Sequence, residues 1–133
     1  MTRPKLMKAA WKKFSIHVRK SVADWRGYVA CVTCGKVYKW DSGMIHAGHW
    51  IHDKLDFDPR NIHPQCRDCN YKYNKNTNIS YAIFMARTYG IKEMEAIKKL
   101  AQKKGNNYST KELKKIINAH STCSICSEKQ NQN

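Results

Sequence analysis

Cys31-Val32-Thr33-Cys34-Gly35, His46-Ala47-Gly48-His49 and Cys66-Arg67-Asp68-Cys69-Asn70 are the segments on which the reading of this chain turns. The two C-x2-C pairs are separated by 31 residues and together offer the four soft thiolates that tetrahedral structural zinc prefers. Gly35 supplies the tight turn of a zinc-knuckle hairpin whose strands are Tyr28-Val29-Ala30-Cys31 and Val37-Tyr38-Lys39-Trp40. A small basic chain with such short strands needs a staple, so Zn2+ is the first cofactor expected. A third pair, Cys123 and Cys126, brings only two donors. It is either an idle thiol pair or half of a weak or intermolecular metal site that would need His120 and a further ligand.

Outward from this centre the pattern is mostly helical. Between Leu6 and Val22 the residues Met7, Trp11, Phe14 and Val18 recur at three- to four-residue steps among Lys5, Lys8, Lys12, Lys13, Arg19 and Lys20, which predicts a basic amphipathic helix. Met44 to Ile51 reads as extended, Asp53 to Arg60 as a polar loop, and Asn61-Ile62-His63 as a last short strand before Pro64. Helices are expected over Asp68–Asn76, Ser80–Tyr89 and Ile91–Lys104, with Gly90 stopping the second. Ser109-Thr110-Lys111-Glu112 has the form of a capping box and predicts a helix running toward His120. The expected organisation is one α+β domain: a basic N-terminal helix (1–26), a zinc-stapled core (27–90), a helical extension (91–122) and a polar tail (123–133).

The 133 residues hold 25 Lys and Arg against 10 Asp and Glu, a net charge of +15, in a chain only 41% hydrophobic. Such a surplus costs self-repulsion in the compact state and is expected where the partner is a polyanion, a phosphate backbone first. The length leaves little room for two independent cores. No run approaches the roughly 18 apolar residues of a membrane span, and Met1 to Lys13 lacks the apolar core and cleavage site of a signal peptide. The expectation is a soluble, cytoplasmic protein with no membrane partner. Paired cysteines at this spacing suit metal in a reducing compartment better than a secreted disulfide framework.

The segment between Cys31 and Asn76 resembles a zinc-stapled HNH endonuclease, the ββα-metal fold. Within that superfamily the chain is similar to the NinG/Rap recombination nucleases of lambdoid phages. The resemblance is carried by Lys8-Ala9-Ala10-Trp11-Lys12-Lys13-Phe14-Ser15, by Gly27 through Gly35, by His46-Ala47-Gly48-His49, by Asn61-Ile62-His63-Pro64-Gln65-Cys66, and by Cys69-Asn70 with Asn76 beyond. It covers roughly residues 5 to 92. It implies a metal-dependent DNA endonuclease, encoded by a phage and acting in a bacterial host on branched or recombination-junction DNA such as a Holliday junction. Its core would be the ββα-metal fold, with His49 as base, Asn61 bracing the loop, and Asn70 binding a catalytic Mg2+ or Mn2+ ion. A symmetric junction with two scissile strands would favour a homodimer.

The residue chemistry fits those roles. Phosphodiester hydrolysis needs a base to deprotonate water and an electrophile for the developing charge, and an imidazole exchanges protons near neutral pH. The carboxamide of Asn70 is a hard neutral ligand, with a helix cap as its bland alternative. One departure stands at position 48, where many HNH enzymes carry an acidic or histidine ligand and this chain has glycine. His46 and Asn76 are the candidate second ligands, with Asn74 behind them. His46 stands at an odd offset from His49 and would need a bulge at Gly48 to converge with it. Phosphate contacts are expected from Lys8, Lys12, Lys13 and Arg19, and from Arg60 and Arg67 unless these are merely solvated. Trp40, Trp50 and Tyr38 read as core, and His52 and His63 as packing or surface residues. Two alternatives remain at this point: a non-catalytic zinc module that binds nucleic acid, and an HNH nuclease acting on linear duplex DNA in homing or packaging.

Overall fold

The computed structural model describes residues 1–71 and 75–121, with side chains given outside 72–77. The elements follow as α1 (Arg3–Lys20), β1 (Tyr28–Ala30), β2 (Val37–Lys39), β3 (Ile45–His49), β4 (Ile62–Cys66), α2 (Arg67–Tyr71), α3 (Lys75–Tyr89), α4 (Ile91–Lys104) and α5 (Thr110–Ser121). This is a mixed α+β architecture with two separate antiparallel pairs, β1–β2 and β3–β4. Cys123 and Cys126 lie outside the described residues, as does Asn74, and the Asn76 side chain is likewise not among those described.

The buried stripe of α1 is Leu6, Ala10, Phe14 and Val18, four residues apart, packed on Ala47, Phe57, Ile62, Tyr108 and Leu113. The stripe is shifted by one position at its start from the expected one: Met7 and Trp11 only flank this core, which frees Trp11 for another contact described below. Arg3 Nε donates to the Tyr108 carbonyl at 3.1 Å, and His17 meets His120 near the other end of both helices, so α1 and α5 run side by side in the same direction. A second cluster joins Leu55 of the long loop to Tyr81, Met85, Ile97 and Ala101 on α3 and α4. A third packs Val29 and Ile45 around Cys31 and Cys66.

Three local differences from expectation concern element boundaries. The last strand does not stop at His63 but continues through Pro64 to Cys66, pairing one to one from His49↔Ile62 to Ile45↔Cys66. Pro64 brings no N–H, but its carbonyl accepts from Val32 N at 3.0 Å, tying β4 to the knuckle. The helix after Cys66 starts at Arg67 as α2, and α3 begins at Lys75, five residues before the expected Ser80. The expected capping box is formed: Glu112 N donates to Ser109 Oγ at 3.1 Å, and Ser109 N donates back to Glu112 Oε2 at 3.3 Å. Among the described residues, no helix is long and apolar enough to cross a membrane.

Candidate active site and metal centre

The hairpin turn and the end of β4 bring Cys31, Cys34, Cys66 and Cys69 together, with all four sulfur atoms within 4.8 Å of one another. Cys31 and Cys66 are buried, Cys69 is half-buried and Cys34 is exposed. Burial opposes ionisation of Cys31. The Thr33 hydroxyl, 3.1 Å from its Sγ, and backbone N–H groups of residues 66, 34 and 33 outweigh that and hold the thiol at about 6. Burial pushes Cys69 up to about 12, and the charge on Cys31 adds to the rise. The quartet thus resists full ionisation by itself, whereas a divalent cation among four thiolates reverses that balance. Four cysteines in this arrangement can hold a metal ion, and an all-sulfur donor set suits Zn2+.

β3 leads from this centre to the histidines. Its ladder with β4 is regular, so the bulge at Gly48 that would bring His46 round to His49 does not form. His46 shares the Gly48 face of the strand and meets Asn70 instead: Asn70 Nδ2 lies 3.2 Å from His46 Nδ1. His46 Nε2 lies 3.2 Å from the Gly43 carbonyl, so Nε2 carries the proton and Nδ1 accepts from the amide. Both ring nitrogens of His46 are engaged, while the Asn70 amide nitrogen is used and its oxygen is left as the acceptor. The two residues line a cleft of about 340 Å³ whose other wall is Trp11, Ser15 and Arg19 of α1.

Gly48 has a steric reason. A Cβ there would collide with Gln65 Oε1 and lie 2.8 Å from Gln65 Cβ. The Gln65 side chain, 3% exposed, occupies the space that an acidic residue at 48 would fill. The absence of the expected second ligand therefore follows from the spacing of the two strands.

His49 ends β3 on the opposite face. Its Nε2 lies 2.7 Å from Asp56 Oδ1, and its ring stacks on Trp11 at 5.5 Å with 19° between planes. Asp56 is an acceptor, so Nε2 is the protonated nitrogen and Nδ1 carries the lone pair. Burial works against the Asp56 charge, yet hydrogen bonds with His49 and Asn106 keep its carboxyl below the ordinary carboxylate value. Asp56 reaches His49 because the loop is over-determined. Leu55 adopts φ 51°, a conformation unfavourable for a branched side chain, and is fully buried. Asn61, also fully buried, accepts from Ile51 N at 2.8 Å and donates to the carbonyls of Ile51 and Lys54 at 3.1 and 2.8 Å.

A further chain of groups stands behind the strand end. Tyr81 O–H donates to the Gly48 carbonyl at 2.7 Å and so accepts from His63 Nδ1–H at 3.1 Å, which leaves His63 Nε2 to accept from Tyr89 O–H at 2.8 Å. Burial pulls His63 down to about 4, with Asp58 opposing.

The basic candidates divide. Lys8 and Lys12 are exposed and Lys13 half-buried. Arg19 is engaged: it donates to the carbonyls of Ser15 and Trp40, both at 3.0 Å, and burial lowers it against the pull of Asp41. Arg60 is engaged by two carboxylates. It forms charged hydrogen bonds with Asp58 at 2.7 Å and Glu93 at 2.5 Å, which hold it well above its ordinary range and neutralise it. Arg67 is half exposed, 4.0 Å from Asp68.

Asp56, Trp11 and Gln65 are the residues that sequence reasoning missed. The only signal for Asp56 was its charge, shared with Asp53 and Asp58 in the same loop. Asp53 points into solvent and Asp58 pairs with Arg60, so the backbone at Leu55 decides among the three.

The profile of the family described as Bacteriophage Lambda NinG protein matches residues 2–130. Among curated proteins, the chain is 32% identical over 88 residues to "Protein ninG" of Salmonella phage P22. That match covers 65% of this chain and 41% of the relative, so the chain aligns with less than half the relative's length. No solved structure matches. With the family profile spanning nearly its whole length, this chain belongs to the NinG family of bacteriophage proteins.

Proposed function

We propose that the protein is a metal-dependent DNA endonuclease of HNH type acting on branched DNA, with His49 as its general base. The observation that carries this reading is the 2.7 Å pair of His49 with Asp56 at the end of a strand whose other face presents His46 and Asn70 to one cleft. Asp56 fixes the tautomer, so Nδ1 is the atom that accepts a proton from water, and its negative charge steadies the imidazolium that results. Trp11 holds the ring plane from above, and Asn61 keeps the loop carrying Asp56 in register. Asn70 offers its amide oxygen, His46 holds the amide in orientation, and Gln65 brings a second carboxamide to the same face of the sheet. A Mg2+ or Mn2+ ion held there would supply positive charge to the phosphate and the departing 3′ oxygen, giving 5′-phosphate and 3′-hydroxyl ends. Lys8 and Lys12 give the wall helix its outward charge. Two scissile strands in a symmetric junction favour a two-fold dimer as the acting form.

One observation favours a second reading, a zinc module that binds nucleic acid without cutting it: the cleft residues satisfy one another, both His46 nitrogens being bonded. Cleavage of a four-way junction and of a matched linear duplex, with and without Mg2+ or Mn2+, separates the two. Wild type should cut the junction faster, and His49→Ala should lose roughly 10²- to 10⁴-fold while retaining fold and DNA affinity. Added imidazole should rescue part of that loss but none of the loss in Asn70→Ala. A His49→Ala protein that cuts at the wild-type rate removes the assignment.

A further inference from the structure

Trp25 is the most exposed large hydrophobic residue among those described, with 92% of its surface open. A lone exposed apolar side chain is ordinary, but this one stands on a rigid support. Asp24 N donates to the Tyr28 carbonyl and Gly27 N to the Asp24 carbonyl, both at 2.9 Å. The Asp24 carboxylate accepts from Arg26 N and Tyr28 N, also at 2.9 Å. Gly27 takes φ 88°, which a side chain would resist, and its carbonyl accepts from Trp40 N at 2.9 Å. The indole is therefore presented on a turn already fixed before any partner arrives. We propose that Trp25 is a stacking platform for an unpaired base of DNA, with Arg26 and Lys39 holding phosphates of the same strand.

The charges around the turn favour this partner. The Arg26 guanidinium lies 5.7 Å from the Trp25 ring centroid and 5.1 Å from that of Tyr28, and Lys39 Nζ lies 6.0 Å from the Tyr28 ring. Tyr28 and Lys39 pair across β1 and β2 on the hairpin face that carries exposed Ala30 and Val37, whereas Val29 turns to the core. Asp24 stands 3.8 Å from Arg26, but its carboxylate already accepts the two backbone N–H groups. An open aromatic ring among cations suits a strand whose bases stack and whose phosphates pair. An apolar protein partner would strip water from those cations without pairing them. The turn also adjoins the cleft: Trp40, which donates to Gly27, accepts from Arg19 Nη1 at 3.0 Å, and Arg19 belongs to the cleft wall. Bases of an intact duplex are already stacked on one another, whereas a branch point can leave a base free. The inference rests on the DNA reading above and names the feature of branched DNA that would be recognised.

Binding without cleavage tests it, using the full chain with no added Mg2+ or Mn2+. The probes are a duplex with one unpaired 2-aminopurine, a fluorescent adenine analogue, and the same duplex fully paired. Wild type should bind the first more tightly and quench its emission as the indole stacks on the base. Trp25→Ala should abolish the quenching and weaken binding to the unpaired probe roughly 5- to 150-fold, while binding to the paired duplex stays within about twofold. Trp25→Phe should retain part of both effects, and neither variant should alter the far-ultraviolet spectrum. Arg26→Ala with Lys39→Ala should lower the salt slope on both probes. Wild-type affinity and quenching in Trp25→Ala overturn the proposal, as does an equal loss on the two probes. A wild-type dimer that Trp25→Ala makes monomeric with quenching intact also overturns it, and assigns the indole to a contact between protein chains. Wild type that binds neither probe removes this inference and the DNA reading together. A Trp25-dependent quench in a protein that cuts no DNA would sustain the inference and remove only the nuclease reading.

Discussion

His63 shows how a residue that reads as ordinary packing can set a pH limit on the whole protein. It is nine-tenths buried, donates through Nδ1 to Tyr81 and accepts through Nε2 from Tyr89, so a second ring proton would meet a hydroxyl hydrogen. Its folded value of about 4 lies below the ordinary value of 6.5. The unfolded chain therefore binds more protons between those limits, and stability rises with pH across that window. The contribution is complete above pH 6.5 and lost as pH falls toward 4, with a ceiling of roughly 3 kcal/mol from the two-and-a-half-unit difference. Urea unfolding at pH 7 and pH 5 should show wild type losing more stability than His63→Gln over the same interval. Equal losses would mean that the ring titrates as it does in the unfolded chain. The cysteine quartet is common to both proteins, so its own pH dependence drops out of the comparison.

Among the elements, the loop between β3 and β4 carries the most consequence for the least regular structure. Leu55 is held in a left-handed conformation by full burial against Tyr81, Met85, Ile97 and Ala101 and by its N–H bond to the Gly105 carbonyl at 2.9 Å. Leu55→Ala removes that anchor and should cost about 2–5 kcal/mol in denaturant unfolding. A cost below about 1 kcal/mol would mean that the loop is held by Asn61 alone. Elements with strong local signals were legible in advance: α4 begins and ends where Gly90 and Gly105 place it, and the Ser109–Glu112 cap opens α5. The cysteine quartet was legible because its spacing is a property of the chain itself. The pairing of His49 with Asp56 was not, because three aspartates within six residues are equivalent until a tertiary contact at Leu55 turns one inward. Nor was the meeting of His46 with Asn70, which depends on a regular β3–β4 ladder and on where α2 sits beside it.

For the whole molecule, the net charge of +15 predicts DNA binding that weakens steeply with salt, and the structure says which charges are free to carry it. Lys8 and Lys12 stand exposed on α1, whereas Arg60 is neutralised by Asp58 and Glu93. In anisotropy titrations over a range of salt, Lys8→Ala with Lys12→Ala should reduce the slope of log affinity against log salt by about 0.9 for each phosphate no longer neutralised. Arg60→Ala should leave the slope unchanged. A slope insensitive to the lysines would move the DNA path away from α1. The parallel pairing of α1 with α5 also has a consequence in time. The apolar stripe of α1 is covered partly by Leu113 of α5, made about a hundred residues later. At roughly 5–20 residues per second, the ribosome leaves that stripe waiting for several seconds. The helix that walls the cleft can therefore settle only after α5 has been made, and a nascent chain that has not reached α5 lacks the closed cleft that the proposed chemistry needs.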